Sequence, residues 1–262
     1  MPTSAPDDEF RLVLTGEHKG LAGFRNAFRR VPSAPRCKLC SAPFEGLGGA
    51  VLRHVGFGRF PGNPALCMNC INEFRKQGSG GAEIPVTLLF ADVRGSTGIA
   101  EKLTPTEFRT FLDRLYRMGS DVILGHNGIV DKIVGDEVIG LFFGGISGPG
   151  HSAAGIAAAI ELMERAGAAD ATEAGPIPLG AGVHTGDAYV GTTGPSGAVD
   201  DFTALGDAVN TAARLASSAT AGEILVSVAA VEAAGRPVPS GDRRRLDIRG
   251  RQESIEVIAL RP

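Results

Sequence analysis

The sequence has 262 residues, of which 43% are hydrophobic and 21% are charged, an ordinary composition for a globular domain in water. Its formal net charge of -3 gives no electrostatic reason to expect nucleic acid or an acidic membrane surface as a main partner. The chain lacks both a long uninterrupted apolar run and a basic segment followed by an apolar one at its N-terminus, so we expect no membrane span, no signal peptide and a cytoplasmic location.

The first part of the chain combines a polar segment with a group of cysteines. Residues 1–33 are mixed in polarity, and we expect a flexible segment with a short helix in EHKGLAGFRNAFRR (17–30). All the cysteines of the chain follow in residues 34–76, as two C-x-x-C pairs: Cys37, Cys40, Cys67 and Cys70. This segment is therefore interpreted as a separate small module.

The spacing of these cysteines indicates a metal site. In a reducing compartment, two C-x-x-C pairs are better interpreted as metal ligands than as disulfides, and together they can hold one tetrahedral Zn²⁺. Because the module is too small for a hydrophobic core of its own, this structural zinc would supply its folding free energy. A redox dithiol and ordinary buried cysteines are the alternatives. His54, between the two pairs, is interpreted as a loop or helix-surface residue.

A change of composition separates this module from the rest of the chain. QGSGGAE has the composition of a linker, so we predict a zinc-binding module at 34–76 and a linker at 77–84. Residues 85–262 then form a single α/β unit. It opens with a buried strand, VTLLFADV (86–93), which ends in an acidic residue.

Turn and cap residues mark the next elements. Ser96 or Thr97 in RGST is placed to cap a helix, and Thr104 and Pro105 predict the N-cap and the first residue of a longer one. The stretch GIVDKIVGDEVIGLFF (128–143) has two β-branched runs around a Gly-Asp pair, the pattern of a hairpin with a tight turn.

The remaining elements continue to alternate. We predict a helix at 151–169, a strand pair within 177–194, a helix that begins near Gly206, and a tail of strand, helix and closing hairpin. The order β-α-α-β-β-α-β-β-α-β-α-β-β predicts an α+β fold. It is a ferredoxin-like βαββαβ core with extra strands and helices, preceded by a small zinc-ribbon-like module.

Two acidic residues stand out because they end or interrupt apolar strands. Asp92 ends the first strand and Asp136 lies at the hairpin turn, and in a ferredoxin-like core these strands are neighbours. Oxygen ligands with room for phosphate suit Mg²⁺ or Mn²⁺. The backbone of Gly95, Ser96 and Thr97, which follows directly, could hold phosphates through its N–H groups. These features predict a two-metal phosphoryl-transfer site.

A second group lies in TALGDAVNTAAR (203–214). Asn210 and Arg214 are four residues apart and share one face of the predicted helix. By spacing alone they could be ordinary surface residues. Beside a phosphate site, an amide and a guanidinium can stabilise the charge that develops on a pentavalent phosphorus.

Together these motifs resemble the catalytic domain of the class III nucleotidyl cyclases. FADVRGST, KIVGDEVIGLF and FTALGDAVNTAARL are similar to three successive motifs of that family, and GAGVHTGDAYVG and IRGRQESIEV match weaker ones. The resemblance covers roughly residues 85–260. It implies the class III cyclase fold and an adenylate cyclase, a phosphorus–oxygen lyase that converts ATP to 3′,5′-cyclic AMP and pyrophosphate for intracellular signalling.

The resemblance also implies a role for individual residues. Asp92, Asp136 and the carbonyl oxygen of Val93 would hold two Mg²⁺ or Mn²⁺ ions in each active site. Lys132 and Thr203 would recognise the base. Lysine can donate to adenine N1 and threonine can accept from the adenine amine, which favours ATP, although GTP or a pyrimidine nucleotide remains an alternative.

The remaining family positions concern the transition state and the phosphates. Asn210 would orient the ribose, Arg214 would bind the α-phosphate, and Arg249 would hold the terminal phosphates, beside the phosphate-binding residues Gly95, Ser96 and Thr97. In the family the metal-binding acids and the other groups come from different protomers, so the resemblance implies a head-to-tail homodimer with two sites.

Other functions account for fewer of these features. A catalytically silent cyclase-homology scaffold usually lacks a metal-binding acid or the arginine, whereas this chain has both. A palm-type polymerase or dinucleotide cyclase would also need two acids but not the pair Asn210 and Arg214. Asp131 and Glu137, the other acids of the hairpin, are expected to be solvated.

Overall fold

The computed structural model describes residues 6–61, 63–76, 80–168, 175–193, 201–235, 241–247 and 254–262. The chain divides into two compact units. The first contains Met1–Pro85, Phe143–Pro149 and Asp187–Leu205. The second contains Val86–Phe142, Gly150–Gly186 and Gly206–Pro262. The change of unit after Pro85 lies next to the predicted linker, but two later segments also belong to the first unit.

The elements are as follows. The helices are α1 (Pro6–Thr15), α2 (Lys19–Arg29), α3 (Gly46–Leu52), α4 (Met68–Lys76), α5 (Ser96–Ala100), α6 (Pro105–Gly125), α7 (Gly144–Ser147), α8 (His151–Gly167), α9 (Asp207–Ser218) and α10 (Val228–Ala234). The strands are β1 (Arg59–Phe60), β2 (Asn63–Cys67), β3 (Gly81–Val93), β4 (Ile129–Val134), β5 (Glu137–Phe143), β6 (Leu179–Thr193), β7 (Asp201–Leu205), β8 (Glu223–Ser227), β9 (Asp242–Leu246) and β10 (Ile255–Leu260).

The first unit begins with two helices in the segment that was expected to be flexible. The predicted helix at 17–30 is α2, and α1 precedes it. Phe10 and Leu14, four residues apart on α1, are both buried, so this helix has an apolar face of its own. Of the expected linker, residues 77–79 lie outside the described ranges and the segment from Gly81 is already part of β3.

The second unit contains the predicted ferredoxin-like core. Its sheet has the strand order β4-β5-β3-β6-β8-β10-β9. In the sequence, β3, α6, β4, β5, α8 and β6 follow one another, which is the predicted βαββαβ unit. β8 extends the sheet parallel to β6, and the β9–β10 hairpin closes it.

The sheet of this unit is covered on both faces. The larger core lies beneath α6, α8 and α10, and a smaller one lies beneath α9. In β8, successive side chains point to opposite faces of the sheet. Ile224 and Val226 belong to the larger core, whereas Leu225 belongs to the smaller one. α9, which carries two of the predicted site residues, is therefore fixed on its own face of the sheet.

Two local predictions are confirmed. Thr104 is the N-cap of α6, Pro105 is its first residue, and Glu107 completes a capping box with Thr104. β4 and β5 form the predicted antiparallel hairpin. Among the described helices, none has the length and apolar character needed to cross a membrane.

One prediction is wrong. The strand pair expected within 177–194 is the single strand β6, and its partner is β7, which pairs with its last residues. Glycines of this strand are required for close packing. A Cβ atom on Gly182 would lie 2.3 Å from the Ala216 backbone nitrogen, and one on Gly191 would lie 2.4 Å from the Gly81 Cα.

Candidate active site

The predicted pair of acids meets where β3 ends and the β4–β5 hairpin turns. Asp92 is the penultimate residue of β3, and Asp136 follows Gly135 in the turn. Gly135 has a φ of 59°, the left-handed conformation that this two-residue turn requires. The N–H of Val93 donates to the Asp136 carbonyl oxygen at 3.2 Å, which ties the strand end to the turn.

The electrostatics of this junction favour a bound cation. Burial raises the pKa of the Asp92 carboxyl, the Arg94 guanidinium lowers it, and the adjacent Asp136 raises it again. Burial, together with the charges of Asp92 and Asp136, raises the pKa of Glu137 to about 7. The carboxyl groups of Asp92, Asp136 and Glu137 thus influence one another's charge, and carboxylate oxygens are the ligands that Mg²⁺ and Mn²⁺ prefer.

Arg94 is a functional candidate that the sequence analysis missed. Its guanidinium forms an ion pair with the Asp92 carboxylate and donates to the Ser217 carbonyl oxygen at 3.2 Å. It packs over Gly180, where a Cβ atom would lie 3.1 Å from Nε. The signal was its position two residues after the strand-end acid, but only the glycine and hydroxyl residues of RGST had been considered.

Tyr116 on α6 is a second missed candidate. Its hydroxyl donates to the carbonyl oxygen of Gly135, so it holds the turn that carries Asp136. Burial, with the charges of Asp113 and Asp136, raises the pKa of the Tyr116 hydroxyl. The hydroxyl therefore stays protonated and remains a donor to the turn. Helical spacing had only placed this residue on α6.

The second predicted group lies on α9. Asn210 is exposed and Arg214 is half-buried, one turn apart on the helix. Gly206, with a φ of 137°, is the N-cap. The contact from α9 to the carboxylates is made at its other end, by Ser217 through Arg94. Asn210 lies seven residues before Ser217, or roughly 10 Å along the helix axis.

The four cysteines form one cluster in the first unit. Their sulfur atoms all lie within 4.8 Å of one another, with Cys37 and Cys70 at 3.9 Å and Cys40 and Cys67 at 3.7 Å. Four sulfurs around one zinc, at Zn–S bonds of about 2.3 Å, would lie roughly 3.8 Å apart. The geometry is therefore compatible with the predicted zinc module.

The surroundings of the cluster also suit a metal. The Cys70 N–H donates to the Cys67 sulfur at 3.4 Å, a contact that stabilises a thiolate. Hydrogen bonds within the cluster lower the pKa of the Cys37 thiol and raise the pKa of the Cys40 and Cys70 thiols, so the protonation of each thiol depends on its neighbours. His54 is exposed on a 3-10 turn and is not part of this cluster, in agreement with its interpretation as a surface residue.

Comparison with known proteins identifies the second part of the chain. The family model of the adenylate and guanylate cyclase catalytic domain matches residues 82–259. The chain belongs to this family. The match begins at the second residue of β3 and includes the carboxylate pair and α9. The cysteine cluster precedes it.

Individual cyclases give the same result. The chain is 33% identical over 133 residues to an adenylate cyclase of Anabaena cylindrica, and 31% identical over 134 residues to adenylate cyclase 1 of Rhizobium meliloti. These matches cover 50% of this chain but only 26% and 20% of the two relatives. The matched regions therefore span about a quarter or less of the length of these curated relatives.

Solved structures of cyclases share the fold. The guanylyl cyclase Cya2 superposes with a TM-score of 0.61 at 28% identity, over 68% of this chain and 92% of the other. The adenylyl cyclase CyaB from P. aeruginosa gives a TM-score of 0.61 at 25% identity, over 68% and 94%. The cyclase fold is thus established, and neighbours of both nucleotide specificities are present.

The predicted base-recognition residues of this cyclase domain lie in different units. Lys132 is a half-buried residue of β4, directly after a bulge formed by Asp131. Thr203 is buried on β7, opposite Gly191 of β6, and its hydroxyl is 3.5 Å from the Ala204 carbonyl oxygen.

Two details of the cyclase motifs differ from the sequence analysis. Neither Ser96 nor Thr97 caps α5, because Gly95, with a φ of 70°, is the N-cap. Asp131 and Glu137 are not solvated but half-buried, and one carboxylate oxygen of Asp131 is enclosed. Arg249 lies outside the described residues.

Proposed function

We propose that this chain is an adenylate cyclase that converts ATP to 3′,5′-cyclic AMP and pyrophosphate. The observation that carries the proposal is the junction of Asp92 and Asp136, two carboxylates held together at the end of β3 inside a cyclase catalytic domain. In the reaction the ribose 3′-oxygen attacks the α-phosphorus, and the bond from this phosphorus to the pyrophosphate oxygen breaks.

The carboxylate pair would bind two divalent cations, with the carbonyl oxygen of Val93 as a further ligand. Bound there, Mg²⁺ or Mn²⁺ would supply a lower pKa for the 3′-hydroxyl and positive charge to offset that of the leaving pyrophosphate. Asp92 and Asp136 fix the position at which this charge is needed. Gly95, Ser96 and Thr97, and Arg249 near the C-terminus, would hold the phosphates.

Base recognition would follow from Lys132 and Thr203. Adenine presents an acceptor at N1 and a donor at its amino group, so a lysine ammonium and a threonine hydroxyl match it. Guanine presents an N–H at the position that the lysine would face, and two donors would then oppose each other. This contrast supports ATP, although a solved neighbour is a guanylyl cyclase.

The site would be completed by a second copy of the chain. Asn210 and Arg214 lie on α9, whose link to the carboxylate pair is Ser217, seven residues after Asn210 and three after Arg214. In a head-to-tail homodimer, Asn210 of one protomer would orient the ribose above the carboxylates of its partner, and Arg214 would stabilise the α-phosphate in the transition state. Each dimer would have two such sites.

Product analysis tests the proposal. The purified chain is incubated separately with ATP, GTP, CTP and UTP, each with Mg²⁺ or Mn²⁺, and products are identified by mass spectrometry. We expect cyclic AMP from ATP alone. Asp136→Asn, which keeps the size of the side chain and removes its charge, should lower the rate by at least about 10³-fold while the fold is retained.

The other outcomes separate the alternatives. A cyclic product from GTP or a pyrimidine nucleotide would keep the two-metal site but contradict the roles of Lys132 and Thr203. No cyclic product from a folded, zinc-loaded dimer would favour a catalytically silent scaffold.

A further inference from the structure

The first unit contains a cavity that the cyclase reaction does not use. Its volume is about 360 Å³, within the range of roughly 300–1,000 Å³ that small-molecule sites occupy. α1 and α2 contribute one wall, and the cysteine-bearing segment contributes the other. Both walls belong to the same compact unit.

The cavity is apolar at its floor. Phe10, Leu39 and Cys40 line it and are at most 4% exposed. Val13 and Leu21 extend the apolar wall on the helical side. Such a floor favours the apolar body of a ligand, because transfer of this surface from water is favourable.

The charged residues of the lining are acidic. Glu9, with 52% of its side chain exposed, and Glu73, also exposed, provide carboxylates at the open side. Among the described residues that line the cavity there is neither lysine nor arginine. The Arg25 guanidinium, on α2, donates to the backbone carbonyl oxygens of Leu39 and Gly145.

The histidine of the lining does not reverse this charge. Nδ1 of His18 accepts from the Leu21 N–H at 3.1 Å, so the proton of the neutral ring is on Nε2. Nε2 lies 3.6 Å from a carboxylate oxygen of Glu9.

Aromatic and sulfur groups add to the same preference. Phe24, which is 57% exposed, and Phe57 present ring surfaces that attract a cation. Cys40 and Cys70 contribute sulfur atoms to the wall, and four thiolates around one Zn²⁺ would carry a net charge of 2−. Apolar floor, acidic opening and aromatic surfaces together select one class of ligand.

We propose that this cavity binds a small organic cation with an apolar body, such as an aryl-alkyl amine. The apolar body would lie against Phe10 and Leu39, and the ammonium group would lie at the opening between Glu9 and Glu73. This would give the cysteine-bearing unit a ligand site of its own, separate from any role of the chain as a cyclase.

Three probes with one body and different charges test the proposal. 4-Phenylbutylamine, 4-phenylbutanol and 4-phenylbutyrate are titrated into the zinc-loaded, full-length chain by calorimetry at pH 8. We expect the amine to bind about tenfold more tightly than the alcohol, and the carboxylate more weakly than either. A chelator should also remove zinc more slowly in the presence of the amine, because Cys40 and Cys70 form part of the wall.

Matched variants locate the site. The double variant Glu9→Gln/Glu73→Gln should lower the affinity for the amine to that for the alcohol, and Phe24→Ala should weaken both several-fold. Glu17→Gln/Glu83→Gln removes the same charge from two exposed residues outside the lining and should change neither affinity. All three variants replace exposed side chains, and their zinc content and circular dichroism verify the fold.

Several results would overturn the proposal. Equal affinities for the three probes would show that charge plays no part. Amine binding that is unchanged in Glu9→Gln/Glu73→Gln would place the site elsewhere, and absence of amine binding at millimolar concentration would show that the cavity does not take this class of ligand.

Discussion

The cysteine cluster and the carboxylate pair both place acidic groups close together. They differ in whether these groups alone form a complete set of metal ligands. The cluster brings four sulfur ligands within bonding range of one ion, all from one short stretch of one unit. The carboxylate pair joins a strand end to a hairpin turn 44 residues later, and a cation of the chain itself, Arg94, already pairs with it. Ligands close in sequence make a complete site, whereas a catalytic site is assembled by the fold.

The largest expected effect tests the cysteine cluster. Cys67→Ser should abolish the binding of one zinc per chain and unfold the module at 34–76, because zinc binding to such sites contributes on the order of 10 kcal/mol. Zinc content is measured by atomic absorption, and unfolding of the module by limited proteolysis.

His54→Ala is the matched control for this variant. It removes the other potential ligand between the two cysteine pairs, and zinc content should stay at one per chain because His54 is exposed outside the cluster. Zinc retained by Cys67→Ser, or lost from His54→Ala, would contradict the four-cysteine site.

The next effect concerns Arg94, whose guanidinium pairs with the Asp92 carboxylate. Arg94→Gln should strengthen Mn²⁺ binding by about tenfold, because a unit positive charge near a divalent ion costs on the order of 1 kcal/mol or more. Mn²⁺ binding is measured by electron paramagnetic resonance without nucleotide. Arg109→Gln, on the exposed surface of α6, should leave the affinity unchanged. Weaker binding in Arg94→Gln would instead make Arg94 a support of the metal site.

A smaller effect is expected from the hydrogen bond that holds the turn. Tyr116→Phe removes the donor to the Gly135 carbonyl oxygen, so Asp136 should be less well positioned. We expect a loss of about 1 kcal/mol in the free energy of unfolding and a several-fold weaker affinity for Mn²⁺. Tyr189→Phe removes the same group from β6 as a control. Unchanged Mn²⁺ affinity in Tyr116→Phe would show that the turn is rigid without this bond.

Local sequence signals predicted much of this architecture. The cysteine spacing, the Gly135–Asp136 turn and the Thr104–Pro105 cap each depend on residues a few positions apart, so their physical effect can be read directly. The ferredoxin-like order followed from the alternation of apolar patterns. The two aspartates were assigned to one place because that fold makes their strands neighbours.

Features that depend on distant contacts were not predicted. The strand pair expected within 177–194 is one strand, in which Gly182 is needed where α9 approaches the sheet and Gly191 where β3 does. Arg94 looked like a loop residue because Ser217, its partner on α9, is 123 positions away in sequence. Contacts between residues so far apart in sequence leave no local pattern, so they can be seen only in the folded structure.

The most direct test of the account is complementation between two inactive variants. Asp136→Asn removes a metal ligand and Arg214→Ala removes the transition-state cation, and each alone should be inactive. If the two groups act in one site from different chains, an equal mixture in which dimers exchange should recover about one quarter of the wild-type activity, since half of the dimers would have one intact site. Mixed dimers that form, as verified by two affinity tags, but remain inactive would contradict the shared site.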